Sequence, residues 1–215
     1  MQTQKVILAG EELILHPLKA IYWPAKKTIF IADFHLGKGA HFRRNGIMVH
    51  SGIDLVNLKN LNQLLKNFSV DQVIFLGDLF HSKYNQAWES FEKYVRQHPK
   101  IAFHLVMGNH DILPPGLYKA SNLILHHESY SLPPFHLSHK PLQQFPAGLF
   151  NLAGHIHPGV VLKGGAKQYM RLPCFYFAEN QGIMPAFGEF TGLSILKPKK
   201  KDKIFVPIEK MVVCL

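Results

Sequence analysis

The chain has 215 residues, 47% of them hydrophobic, with 24 Lys and Arg against 14 Asp and Glu, for a formal net charge of +10. That length and apolar share suit one domain over residues 1–215 with a sizeable core, and two cysteines without a Cys-x-x-Cys pair exclude a disulfide framework and a zinc finger. The surplus of cations favours polyanionic partners, although charge bears on association and not on fold.

In chain order, the first apolar stretch, Val6 to Ala9, is too short for a signal-peptide core or a membrane span, so a cytoplasmic protein with no membrane partner is expected. Val6 to Leu8, Leu13 to Leu15, Ala20 to Tyr22 and Thr28 to Ala32 read as short strands punctuated by Gly10, Pro17 and Pro24, and the last delivers Asp33 and His35. Ser51 is the expected cap of a helix to about Asn67, with Leu55, Leu58, Leu61, Leu65 and Phe68 at helical spacing. Val73 to Leu76 is a buried strand ending at Gly77-Asp78. Asn85 then caps a second helix whose Trp88, Phe91, Tyr94 and Val95 share a face before Pro99. Ile101 to Met107 is the next strand and ends at Gly108-Asn109.

This strand and helix alternation predicts parallel strands with right-handed crossovers and loops on one rim, where ligands of open α/β sheets sit. From about Leu123 the chain turns β-rich, at Leu123 to His126, Phe135 to Ser138, Phe150 to Ala153, Tyr169 to Phe177, Leu193 to Leu196, Ile204 to Val206 and Met211 to Val213. A second sheet packed on the first is the simplest solution. Lys197 to Lys203 reads as a solvated hairpin loop, with a grip on phosphates as the alternative.

Five short motifs each follow an apolar run: Asp33-Phe34-His35, Gly77-Asp78, Gly108-Asn109-His110-Asp111, Ser138-His139 and Gly154-His155-Ile156-His157. Singly they are weak; their order and setting supply the specificity. Asp33, His35, Asp78, Asn109, His139, His155 and His157 offer mixed oxygen and imidazole donors for two metal ions, of a kind that suits Mn, Fe or Zn rather than Ca or a thiolate site. Hydrolysis of a phosphate ester is the chemistry this set suggests. Two cations on the order of 3.5 to 4 Å apart bind a bridging water, lower its pKa and neutralise phosphoryl oxygens, so that the hydroxide attacks phosphorus in line. His16, His41, His50, His81, His98 and His104 have no such setting and read mostly as surface residues.

These motifs resemble the calcineurin-like metallophosphoesterase superfamily, from Asp33 to His157 with no ligand missing. The chain is closest to the DNA-ligase-associated metallophosphoesterase family through Ala32 to Lys38, Gly154 to Pro158, Arg171 to Phe175 and Pro185 to Gly192, with Phe34 the one departure, where an aliphatic residue is usual. The resemblance implies a four-layer α/β/β/α sandwich of two mixed β-sheets flanked by helices. It implies that Asp33, His35 and His157 hold one divalent ion, that Asn109, His139 and His155 hold the other, and that Asp78 bridges them, with Mn as the first choice of metal. His136 competes with His139 for the lone-histidine position, and the family's placement after a strand and before a loop favours His139. His110, beside Asn109 yet not needed for coordination, is placed as the general acid for the leaving oxygen, with Asp111 orienting its imidazole; a further ligand or a spacer is its alternative.

Lys38, Arg43 and Arg44, with His41 and Phe42, follow the first motif and are the candidate phosphate and base contacts. Together with the resemblance they favour a phosphodiesterase acting on single-stranded or nicked DNA in repair. An ATP-dependent DNA ligase and a helicase are neighbours implied by the family name alone. A small-molecule phosphatase or nucleotide pyrophosphatase is the alternative, though no inserted substrate cap is visible, and a non-catalytic interaction module needs no intact ligand ring. Arg171 to Phe175 and Pro185 to Phe190 carry no chemistry legible in the sequence; Cys174 reads as buried, and Glu189 as a residue behind the site.

Overall fold

Short apolar runs between turns fold the start of the chain into an antiparallel meander: β1 Gln4–Leu8, β2 Glu11–His16, β3 Ala20–Trp23 and β4 Thr28–Ile31. The computed structural model describes residues 1–39, 53–81, 84–165, 168–189 and 191–215. After β4 the pairing becomes parallel, through β5 Gln72–Leu76, β6 Ala102–Val106 and β7 Leu123–His126, and all seven strands lie in chain order. The crossovers carry α1 Ile53–Asn67, α2 Gln86–Arg96 and the short α3 Pro115–Ala120. Asn85 caps α2 as expected, its Oδ1 accepting from the Ala87 N–H at 2.9 Å. The expected Ser51 cap lies outside the described residues.

The period-two alternation of these strands divides the core. Ile29, Ile31, Val73, Phe75, Phe103 and Leu105 face Leu61, Leu64, Trp88, Phe91 and Tyr118 of the helices. Phe30, Ala32, Ile74, Leu76 and Val106 turn to the other side. Strands buried on both faces read as unbroken apolar runs, which is why β4, β5 and β6 stand out in the sequence.

The rest of the chain supplies β8 Ser129–Leu132, β9 Phe135–Ser138, β10 Phe150–Ala153, β11 Pro158–Lys163, β12 Tyr169–Pro173, β13 Phe175–Phe177, β14 Gln181–Ile183, β15 Ser194–Ile195, β16 Lys203–Ile208 and β17 Met211–Cys214. A second sheet runs β17-β16-β13-β14-β10-β9-β8, with β9, β10 and β14 parallel. Its inner face places Phe135, Leu137, Leu152, Phe175 and Phe205 against the first sheet, and Trp23 meets Phe135 edge-on at 5.0 Å. Each such side chain contributes roughly 1.5–3 kcal/mol on burial.

The sandwich of two mixed sheets with helices on the first is the expected architecture. On the outer face of the second sheet, where a helical layer is expected, the described residues place a three-stranded sheet, β12-β11-β15, packed through Val160, Cys174, Ile204 and Val206. Other boundaries also differ. β7 belongs to the first sheet, since Phe103 pairs with Leu123, so the chain changes sheets one strand later than its composition suggests. Tyr169 to Phe177 is two strands, because Cys174 N–H bonds Pro158 O and the chain passes there from the small sheet to the second one. Residues 197–202 join β15 to β16 in different sheets and are therefore a crossover loop, not a hairpin. Asp202 anchors it by accepting from Tyr176 Oη and the Lys199 N–H.

Candidate metal centre

Asp33 and His35 follow β4, Asp78 follows β5 and Asn109 follows β6, while His139 follows β9 and His155 and His157 lie between β10 and β11. The carboxyl ends of both sheets thus converge on one rim. Five of these residues leave their strands in the left-handed conformation: Asp33 at φ 51°, His35 at 49°, Asp78 at 51°, His155 at 67° and His157 at 50°. Such positions cost of order 1–3 kcal/mol each and persist only when neighbours over-determine them.

The neighbours are on hand. Asp33 N–H bonds Gly77 O at 3.2 Å, His35 N–H bonds Asp78 O at 2.9 Å and Leu36 N–H bonds Leu79 O at 2.9 Å, zipping the first two motifs together. Asn57 Nδ2 of α1 donates to Phe34 O at 3.1 Å, and Gly188 N–H donates to Asp33 O at 3.0 Å. Phe187 stacks on Phe34 with ring centroids 5.2 Å apart. The Pro185 to Gly192 segment, mute in the sequence, therefore clamps the first motif, and the aromatic Phe34 is part of the clamp.

Two of the motif glycines are explained by close approach. A Cβ on Gly77, which has φ +80°, would lie 2.1 Å from His139 Nδ1, and one on Gly108 would lie 2.3 Å from the Asp78 N and Oδ1. Any side chain there would push a ligand out of place.

The side chains form two clusters, Asp33 with His35 and His157, and Asp78 with His139 and His155, each with donor atoms within 4.8 Å of one another. Asp78 sits between them: its Oδ2 is 4.0 Å from His35 Nε2 and its Oδ1 is 3.4 Å from His139 Nε2. Asp33 accepts the His155 N–H at 2.9 Å, and Asp78 Oδ1 accepts the His110 N–H at 2.9 Å, which fixes both carboxylates. His139 Nδ1–H donates to Leu76 O at 3.0 Å, which turns its Nε2 into the centre. That nitrogen faces Asn109 Oδ1 at 3.0 Å and Asp78 Oδ1, both acceptors. In the other cluster His35 Nε2 and His157 Nε2 approach to 3.3 Å. Burial drives the His35 imidazole down to about 2, which keeps that ring neutral, and it lowers that of His155. The converging nitrogen and oxygen donors fit two divalent ions.

Asn109 and the six clustered residues are thus the sequence candidates that the fold brings together. His136 is not among them; it faces Ser131 Oγ at 3.0 Å. Lys38 is half-buried and feels the charges of Asp33 and Asp78, although burial pulls its ammonium below the usual lysine range. Arg43 and Arg44, like His41 and Phe42, lie outside the described residues.

Asp111 differs from expectation. Its Oδ2 accepts from Gly108 N–H at 2.8 Å and its Oδ1 from Phe80 N–H at 3.1 Å, so it ties two ligand loops together instead of orienting His110. The ring against His110 belongs to His81, at 4.1 Å between centroids. His81 Nδ1 also lies 3.1 Å from His35 Nδ1, the nitrogen that faces away from the centre. A ligand imidazole needs a partner on its second nitrogen. The surface reading fails here, and it fails for the buried His16 and His104 as well. His81 had a legible signal: it lies three residues beyond Asp78, on the same rim. Glu189 pairs with Lys19 at 3.3 Å, and burial among apolar groups pushes the Cys174 thiol up to about 12, so it is inert packing. A cavity of about 700 Å³ lined by Ile7, Phe145, Phe177, Lys201 and Lys203 opens at the amino end of β10, opposite the ligands.

The sequence profile of calcineurin-like phosphoesterases matches residues 26–203. The crystal structure of a Pseudomonas putida nuclease, MPE, is similar with a TM-score of 0.83 and 30% identity, covering 100% of both chains. A protein of unknown function from Aquifex aeolicus, AQ665, shares 23% identity over 60% of this chain and 78% of its own, with a TM-score of 0.41. No curated protein matches the chain significantly.

Proposed function

The chain belongs to the calcineurin-like phosphoesterase family and is a metal-dependent phosphoesterase, and from that premise we propose that it is a phosphodiesterase cleaving single-stranded or nicked DNA, with Mn in both metal positions. The observation that carries this reading is the pair of donor clusters with one oxygen of Asp78 turned toward each. Similarity to a nuclease over the whole chain and the net charge of +10 support a polyanionic diester as substrate.

In this reading Asp33, His35 and His157 hold one ion, Asn109, His139 and His155 hold the second, and Asp78 serves both. When bound, the ions supply activation of a water and neutralisation of phosphoryl charge. His110, half-buried beside the centre, gives its proton to the leaving alkoxide, and the His81 ring holds its plane. Lys38, Arg43 and Arg44 hold the flanking phosphates. Work beside an ATP-dependent DNA ligase and a helicase in repair follows from the resemblance.

The test uses Mn-loaded protein with a single-stranded circle, a nicked circle and an intact duplex circle. Cutting of the first two with the third spared is the expected result. Hydrolysis restricted to phosphomonoesters or nucleotide pyrophosphates would replace DNA with a small-molecule substrate.

A further inference from the structure

We propose that the outward face of the β12-β11-β15 sheet is a track for one nucleic-acid strand leaving the metal centre, with Tyr169 stacking a base and Lys163 and Arg171 holding phosphates. The inference rests on the nucleic-acid reading above and adds to it where the strand runs.

The sheet is rooted in the centre. β11 begins at Pro158, the residue after His157, and Ser194 N–H bonds His157 O at 3.0 Å. Register then sorts the side chains. Lys163 pairs with Tyr169, Val161 with Arg171, and Gly159 with Pro173 and Ile195, and cross-strand partners project to the same side. The opposite side is occupied, because Val160, Leu162 and Leu172 pack with Cys174, Ile204 and Val206. The open side leaves Tyr169 74%, Ile195 39% and Val161 38% exposed.

The charge of this face is one-sided. Residues 158–178 include no Asp or Glu, and neither do residues 190–201. Among the described residues neither Lys163 nor Arg171 takes part in an ion pair. A second copy of this chain would set like charges against each other, which disfavours self-association. An aromatic ring flanked by unpaired cations is the pattern by which single strands are held without sequence preference. The six residues of β11, Pro158 to Lys163, span roughly 20 Å at the strand rise.

The test compares Tyr169→Ala, Tyr169→Phe and the pair Lys163→Glu with Arg171→Glu, all Mn-loaded. The readouts are kcat/KM for oligothymidine cleavage and for bis(p-nitrophenyl) phosphate, a diester too small to reach the track. Tyr169→Ala is expected to lose about tenfold on the oligonucleotide, Tyr169→Phe to retain it, and the charge reversals to lose more at low salt than at high. All three should turn over the small diester within about twofold of the parent. Oligonucleotide cleavage unchanged in Tyr169→Ala and in the double reversal overturns the track while leaving the phosphodiesterase standing. A parent that hydrolyses the small diester but no oligonucleotide overturns the DNA reading and the track together. A parent dimer that Tyr169→Ala dissociates, with oligonucleotide cleavage intact, assigns the face to a second copy and also overturns the track.

Discussion

In the proposed mechanism His110 and Asp78 have different tasks, proton donation and metal holding, and each has its own test. The His110 backbone N–H is committed to Asp78, while its half-buried ring lies 5.7 Å from His35 by centroids. His110→Ala should therefore keep its metal content and lose about 10²- to 10⁴-fold in turnover of diesters with alkoxide leaving groups. The loss should be much smaller for nitrophenolate, which leaves without a proton, and equal losses for both would remove His110 from the acid role. The candidate donors were legible as a set because their motifs follow apolar runs in one order, and their types leave few other uses for so many carboxylates and imidazoles on one rim. The contacts of Asp111 and His81 were not. Which of two adjacent polar groups reaches a neighbouring ring depends on loop geometry, and the two backbone donors that claim Asp111 come from residues 80 and 108.

At the scale of elements, the parallel strands and α2 were readable because doubly buried strands and a capped amphipathic helix leave strong local patterns. β8, β11 and β14 were missed, being short, polar or opened by Pro and Gly. The sheet to which β7 belongs was set by partners distant in sequence, which no local pattern records. Where the two sheets meet at their edges, β7 and β8 are joined by aromatic stacking: Tyr130 lies on His126 at 4.0 Å, and His104 Nδ1 is 3.1 Å from His126 Nε2. Burial, followed by the charge of His126, pushes the His104 imidazole down to about 4. The folded state thus binds protons less readily than the unfolded chain, so this stability is present above the ordinary histidine pKa near 6.5 and is lost as pH falls from there toward 4. His104→Phe keeps the stack and removes the titration. Its melting temperature should fall less steeply than the parent's between those pH values, with a residual slope from His16, which burial also pushes down to about 4. Equal slopes would show that the edge joint does not sense acid.

For the whole molecule, two sheets meet so that their carboxyl ends share one rim, and only that union completes both donor clusters. The first sheet brings Asp33, His35, Asp78 and Asn109, and the second brings His139, His155 and His157. Neither sheet alone can hold both ions. No helix among the described residues is long and apolar enough to cross a membrane. The most direct measurement is metal content by elemental analysis on chelator-stripped protein restored with Mn, alongside hydrolysis of bis(p-nitrophenyl) phosphate and p-nitrophenyl phosphate, for the parent and for Asp78→Ala. The parent should take up two ions per chain and prefer the diester, and Asp78→Ala should lose both ions and the activity. Full metal uptake and full diester turnover in Asp78→Ala would contradict a centre in which one carboxylate serves two metals.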